Sequence, residues 1–130
     1  MPTIFSRIIA GEIPSYKIAE DDKFFAFLDI RPMAKGHTLV IPKQETDYIF
    51  DLDDDTLAAM NVFAKKVAKG IEKAVPCKRI GVMVLGMEVP HAHIHLIPIE
   101  KESDMLLSNP RLTLEQDELE AIARKIRDNI

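Results

Sequence analysis

The sequence predicts an α+β fold: a roughly five-stranded, largely antiparallel sheet, with a long helix between strands three and four and a C-terminal helix. Three observations carry this reading. Apolar residues recur at three and four residues from Leu57 to Ile71 and again from Leu119 to Ile126, the period of a helix with one buried side. Five short runs rich in aromatic and branched residues are bounded by turn residues, as strands are. Most connections between those runs are too short for helical crossovers, so neighbouring strands run antiparallel.

Thr3 can cap a short helix over Ile4–Ala10, with Phe5, Ile8 and Ile9 on one side and Gly11 ending it. Tyr16–Ala19 and Phe24–Leu28 flank the acidic turn Glu20-Asp21-Asp22 and read as a strand pair. Pro32 to Gly36 is a loop, and His37–Pro42 a third strand on which His37, Leu39 and Ile41 share a face. The acidic cluster Asp51 to Asp55 suits the start of the long helix, Asp55–Val75, because negative charge there complements the macrodipole. Leu57, Met60, Ala64, Val67, Ala68 and Ile71 form its stripe, and Pro76 stops it. Arg79–Leu85 and His91–Ile99 are the last two strands, joined through Gly86 to Pro90. Thr113-Leu114-Glu115-Gln116 has capping-box spacing ahead of the closing stripe Leu119, Ile122, Ala123 and Ile126. Helices should cover one face of the sheet.

With 130 residues and no linker or repeat, the chain is read as a single domain, 1–130. A hydrophobic fraction of 47% excludes disorder. Seventeen basic against 21 acidic residues give a net charge of −4, which argues against polymeric nucleic acid and against membrane surfaces as partners. The opening residues carry Arg7 and break at Gly11 and Pro14, so they form neither a signal-peptide core nor a spanning helix. The lone Cys77 excludes an intrachain disulfide; a cytoplasmic protein is expected.

The informative stretch is His91-Ala92-His93-Ile94-His95-Leu96-Ile97-Pro98. Three of four histidines recur at a period of two, so on a strand they share one face while Ala92, Ile94 and Leu96 face the interior. Decoration of a solvated surface, a metal site and nucleophilic catalysis all compete as explanations. Three side chains in line on one strand, about 6.6 Å apart at roughly 3.3 Å per residue, converge poorly on one ion. A neutral imidazole attacking phosphorus, with neighbours handling protons, fits the pattern well.

HAHIHLIP matches the histidine-triad signature, in which histidines alternate with apolar residues. TIFSRIIAGEIPSYKIAEDDKFFAFLDIRPMAKGHTLVIPK also resembles the amino-terminal half of that family, in particular its nucleotide-binding (Hint) branch. The resemblance implies the histidine-triad (HIT) fold and a homodimer that hydrolyses nucleoside phosphoramidates or related purine nucleotide conjugates. A nucleotide-binding protein of the same fold with little turnover, or a dinucleoside polyphosphate hydrolase, is the alternative. By resemblance His93 attacks the α-phosphorus to form a nucleotidyl-histidine, and water then releases the nucleoside monophosphate. His91 and His95 hold His93 in its reactive tautomer and contact the phosphate. His95 occupies a position where related transferases carry glutamine, and His37 matches an upstream histidine close to the triad. Asp29 matches the acid that binds the ribose hydroxyls, a role that suits a carboxylate. Phe5, Ile8, Ile13, Phe27 and Ile30 would form the apolar cleft for the base, with Gly86 and Glu88 near the phosphate.

Two departures from the family pattern stand out. An Asn and a Gly-Gln-Ser/Thr stretch before the triad are replaced by Val84-Leu85-Gly86-Met87-Glu88-Val89-Pro90, where Glu88 could meet a cationic leaving group. Some bacterial relatives hold zinc with a Cys-x-x-Cys near the start and a later histidine. Those positions are Thr3, Ser6 and Glu45 here, so no zinc and no other cofactor is expected.

Overall fold

The computed structural model describes residues 2–130. Helix α1 (Ile4–Ile9) begins at Thr3, whose hydroxyl accepts the Ser6 N–H at 3.0 Å, and gives way to Gly11 at φ +81°. Strands β1 (Lys17–Glu20), β2 (Phe24–Leu28) and β3 (Thr38–Pro42) follow as an antiparallel meander. Helix α2 (Asp54–Ala74), capped by Asp53, carries the chain across the sheet to β4 (Arg79–Met83). Strand β5 (Ile94–Ile99) then inserts between β3 and β4, giving the order β1-β2-β3-β5-β4 with every pairing antiparallel. Helix α3 (Gln116–Arg127) closes the fold, and short 3-10 turns at Ile49–Asp51 and Glu102–Met105 complete it. No helix among the described residues is long and apolar enough to cross a membrane.

Every residue of β2 and β3 is buried, because both faces of the sheet are covered. On one face Phe24, Ala26, Val40, Ile94 and Leu96 pack with Met60, Val67 and Ile71 of α2 and Leu119, Ala123 and Ile126 of α3. On the other, Phe25, Phe27, Leu39 and Ile41 pack with Phe5 of α1, joined by Ile8, Ile9 and Val89. The expectation that helices cover a single face therefore holds for α2 and α3 and fails for α1. This second, smaller layer is the floor on which the histidines stand.

Helix α1, strands β1 and β3 and helix α2 differ from the sequence reading by one residue at one or both ends, and three other boundaries differ by more. Strand β5 begins at Ile94, not His91. Beyond the Val40–Ile94 pair the ladder ends: Pro42 has no N–H, and its carbonyl oxygen accepts from the His91 ring. Strand β4 stops at Met83 rather than Leu85. The capping box at Thr113 is not formed either; α3 starts at Gln116 behind Glu115, which makes no side-chain cap, while Leu114 packs half-buried on the core. Anchoring that apolar residue keeps the chain extended through the turn the box would have closed.

Candidate active site

Four imidazoles meet along the start of β5, where it runs antiparallel beside β3. Gly36, at φ +93° and packed under Val75 and Pro98, turns the chain so that His37 enters β3 fully buried. His91 and His93 lie on the extended approach to β5, and His95 lies within it. Ala92, Ile94 and Leu96 are buried in the helix-covered layer, so the alternation read from the sequence survives although the strand is shorter. The rings stand in a row: His93 and His95 are 4.9 Å apart between centroids, and Phe5 meets the edges of His91 and His93 at 5.7 and 5.1 Å.

Hydrogen-bond partners assign the proton on each ring. The His91 Nε2 is 2.8 Å from the Pro42 carbonyl oxygen, which can only accept, so Nε2 carries the hydrogen. Its Nδ1 then accepts from the Thr3 hydroxyl at 2.7 Å. The His93 Nδ1 is 2.8 Å from the backbone oxygen of His91 and must donate, which leaves an unshared pair on Nε2. The Met33 amide donates to His37 Nδ1 at 3.0 Å, so the His37 hydrogen sits on Nε2 and is donated to His95 Nδ1, also at 3.0 Å. His95 is thereby left with its N–H on Nε2. The row thus offers a nucleophilic nitrogen on His93 beside a proton donor on His95.

Burial pulls the His37 pKa down to about 3 and the His95 pKa to about 4, with neighbouring positive charge adding to the effect. Burial also lowers His91. These three rings are neutral at neutral pH, as the hydrogen-bond assignment requires. Asp29 follows β2 directly. Its Oδ1 accepts the Arg31 N–H at 2.8 Å, and its Oδ2 lies 3.7 Å from His37 Nε2 and 3.6 Å from Arg111 Nη1. Burial raises the Asp29 carboxyl above the usual range, opposed by the Arg31 N–H and the Arg111 charge.

The HIT domain family matches residues 10–102. The chain belongs to that family. It is 35% identical to adenosine 5'-monophosphoramidase of Schizosaccharomyces pombe, across the whole of this chain and 99% of that one. A crystal structure of a HIT-like protein from Bartonella henselae superposes with a TM-score of 0.85 at 37% identity, over 98% of this chain and 96% of that one. A Zn-bound histidine triad protein from Mycobacterium smegmatis superposes with a TM-score of 0.79 at 30% identity, over 97% and 91%.

Of the residues singled out in the sequence, His37, His91, His93, His95 and Asp29 are brought together, as are Phe5, Phe27 and Ile8 beneath them. The His91 ring plays a different part from the one expected. Both its nitrogens are taken by Thr3 and Pro42, and it is the His91 carbonyl that orients His93. Ile13 is half-buried, whereas Ile30 is 62% exposed and joins neither apolar layer. Gly86 opens its loop at φ +73°, and Glu88 is exposed on that loop with no ion pair among the described residues. Two contributors were not legible. Thr3 reaches His91 across 88 residues, and Arg111 comes from a segment with no periodic signal.

Thr3, Ser6 and Glu45 do converge on His91. Glu45 Oε1 accepts from the Thr3 N–H at 2.8 Å and from the Ser6 hydroxyl at 2.6 Å, tying α1 to the segment after β3. This set does not fit zinc: it offers hydroxyls in place of thiolates, and the His91 Nδ1 pair is spent on Thr3. Ligand atoms of Asp29, His37 and His95 also lie within 4.8 Å of one another. There both His37 nitrogens are engaged, so that ring directs no free pair at an ion.

Proposed function

We propose that the protein is a nucleotide hydrolase that cleaves nucleoside 5'-phosphoramidates or related purine nucleotide conjugates through a nucleotidyl-histidine. The observation that carries this reading is the bond from His93 Nδ1 to the His91 carbonyl, which leaves Nε2 as a free nucleophile next to the His95 N–H. The His93 Nε2 pair attacks the α-phosphorus as the P–N bond of the N-protonated phosphoramidate breaks, so that the amine leaves neutral, while His95 Nε2–H donates a hydrogen bond to a phosphoryl oxygen. The positive charge on the nucleotidyl-imidazolium is shared with the His91 carbonyl through Nδ1–H. Water then attacks phosphorus as the bond to His93 Nε2 breaks and gives up a proton to solvent, and the nucleoside monophosphate leaves with both rings restored. The amine takes up one proton from solvent before it leaves, and the attacking water returns one.

Phe5, Ile8 and Phe27 supply an apolar floor for the base, and Asp29 accepts the ribose hydroxyls. An intact-mass spectrum, quenched within milliseconds of mixing with adenosine 5'-phosphoramidate, should show the protein carrying one adenylyl group, with AMP accumulating. Nucleotide bound with neither adduct nor AMP would overturn the hydrolase and leave a binding protein.

A cytoplasmic homodimer suits the same reading. Strand β4 is an unpaired edge with Val82 63% exposed, and beside it the exposed Tyr48 and Phe50 line a cavity of about 310 Å³ with Val84 and Leu85. Two copies paired about a two-fold axis would cover this apolar edge. Sedimentation should give a dimer for the native protein and a monomer for Val82→Lys; a native monomer at micromolar concentration refutes the pairing.

A further inference from the structure

The segment from Leu106 to Glu115 has no regular structure, yet it is pinned across the loop that follows β2. The Leu112 N–H donates to the Pro32 carbonyl at 2.8 Å, and Arg111 Nη1 donates to the Arg31 carbonyl at 2.8 Å. These bonds, 80 residues apart in sequence, set the Arg111 guanidinium 3.6 Å from Asp29 Oδ2. The Asp29 side chain is 18% exposed and that of Arg111 35%, so the pair sits at the rim of the site, partly shielded and open to a ligand. The position of Asp29 Oδ2 is also informative. It approaches Arg111 and His37 at 3.6 and 3.7 Å, both too long for a hydrogen bond, so its acceptor capacity is unspent.

A ribose hydroxyl both donates and accepts. The Asp29 carboxylate answers only the donor half. Once a hydroxyl proton is committed to Asp29, the lone pairs of the same oxygen need a donor within reach. His37 Nε2–H is already spent on His95, and the Arg31 N–H on Asp29 Oδ1. Arg111, with five N–H groups on a planar fork, has donors to spare after its one bond to Arg31.

Resting on the reading of Asp29 as the ribose acid, we propose that Arg111 is a specificity-determining residue of the ribose subsite, completing with Asp29 a donor–acceptor pair that selects ribonucleotides over 2'-deoxyribonucleotides. It acts on the ligand directly and on Asp29 as a counter-charge. The latter matters because a shielded carboxylate without a cation beside it takes up a proton and loses the acceptor that the 2'-hydroxyl needs. The field of Arg111 extends further into the site, since it helps to lower the pKa of both His37 and His95. The irregular C-terminal segment thereby acquires a purpose, which is to deliver one cation to one hydroxyl pair.

The deciding experiment is calorimetric titration of AMP and of 2'-deoxy-AMP into the native protein, Arg111→Gln, Arg111→Lys and Asp29→Asn, with thermal unfolding of each. The native protein should bind AMP more tightly than its deoxy analogue. Arg111→Gln should weaken AMP about tenfold, the scale of one charge-assisted contact, and move 2'-deoxy-AMP by less than about twofold. Arg111→Lys should recover part of the preference, since a lysine keeps the charge and loses the fork. In the Asp29→Asn background, Arg111→Gln should leave the AMP to deoxy-AMP ratio unchanged. Equal weakening of both nucleotides, or an unaltered ratio in Arg111→Gln, overturns the proposal. A native protein that binds both nucleotides alike overturns it together with the ribose role of Asp29, while leaving the adduct experiment to judge hydrolysis. A native protein that binds neither at millimolar concentration removes the nucleotide reading itself.

Discussion

Replacing His93 by alanine should lower turnover of adenosine 5'-phosphoramidate by about four orders of magnitude or more and abolish the adenylyl adduct, with nucleotide binding retained within about threefold. The asymmetry follows from where the ring's bonds go. His93 Nδ1 is fixed to its own backbone neighbourhood through the His91 carbonyl, and nothing among the described groups competes for Nε2. Removing the ring therefore deletes the proposed nucleophile while leaving intact the Asp29 loop, the Phe5–Phe27 floor and the His37–His95 pair. Water could enter the vacated space, but it would lack the proton-free nitrogen held in position by that carbonyl. Steady-state rates together with quenched mass spectra decide the matter. A variant retaining more than about one per cent of native activity, or still forming an adduct, means that some other nitrogen attacks. His95 is the group to suspect in that case, and its Nε2–H argues against it as the nucleophile.

What could be read from the sequence was what repeats. The period of two from His91 to His95, interleaved with Ala92, Ile94 and Leu96, forces one polar and one buried face whatever the exact length of the strand. The stripe from Leu57 to Ile71 likewise marked out α2, and its apolar side lies on the sheet as expected. What could not be read depended on pairings between distant segments. Strand β5 starts only at Ile94 because Pro42 on β3 cannot continue the ladder, a property of a partner far away along the chain. The failed capping box at Thr113 shows tertiary packing of Leu114 overriding a local signal worth about 1 kcal/mol. Thr3 was legible as a cap and invisible as the partner of His91, since a hydroxyl can do both at once: it accepts from Ser6 and donates to His91. Arg111 carried no sequence signal, because its importance comes from the Arg31 and Pro32 carbonyls that place it.

Stability should fall steeply as pH drops from about 6.5 toward 4, a loss that begins well above the range in which ordinary carboxylates titrate. His37, His91 and His95 are held neutral in the folded protein by burial, with His37 near 3 and His95 near 4, whereas each regains an ordinary value of about 6.5 once unfolded. Below pH 6.5 the unfolded chain takes up protons that the native state refuses. Their stabilising contribution is therefore complete above that pH and is lost progressively as pH falls toward the folded values. His37 and His95 alone give a limiting slope of about 3 kcal/mol per pH unit, with His91 acting in the same sense, enough to consume the lower end of a typical domain's stability within about two or three units. Asp29 works in the opposite sense, since its carboxyl is raised by burial and gains protons more readily when folded. The exposed Glu45, whose carboxyl is lowered by Ser6 and Thr3, adds to the loss only near its own low range. Urea midpoints between about pH 7.5 and 4.5 measure the slope directly, and a flat profile across that window means that the histidines titrate in the folded state. They would then be charged at mildly acidic pH, and the chain of donors from Met33 through His37 to His95 could not be the one that keeps a neutral ring with its hydrogen on Nε2 beside His93.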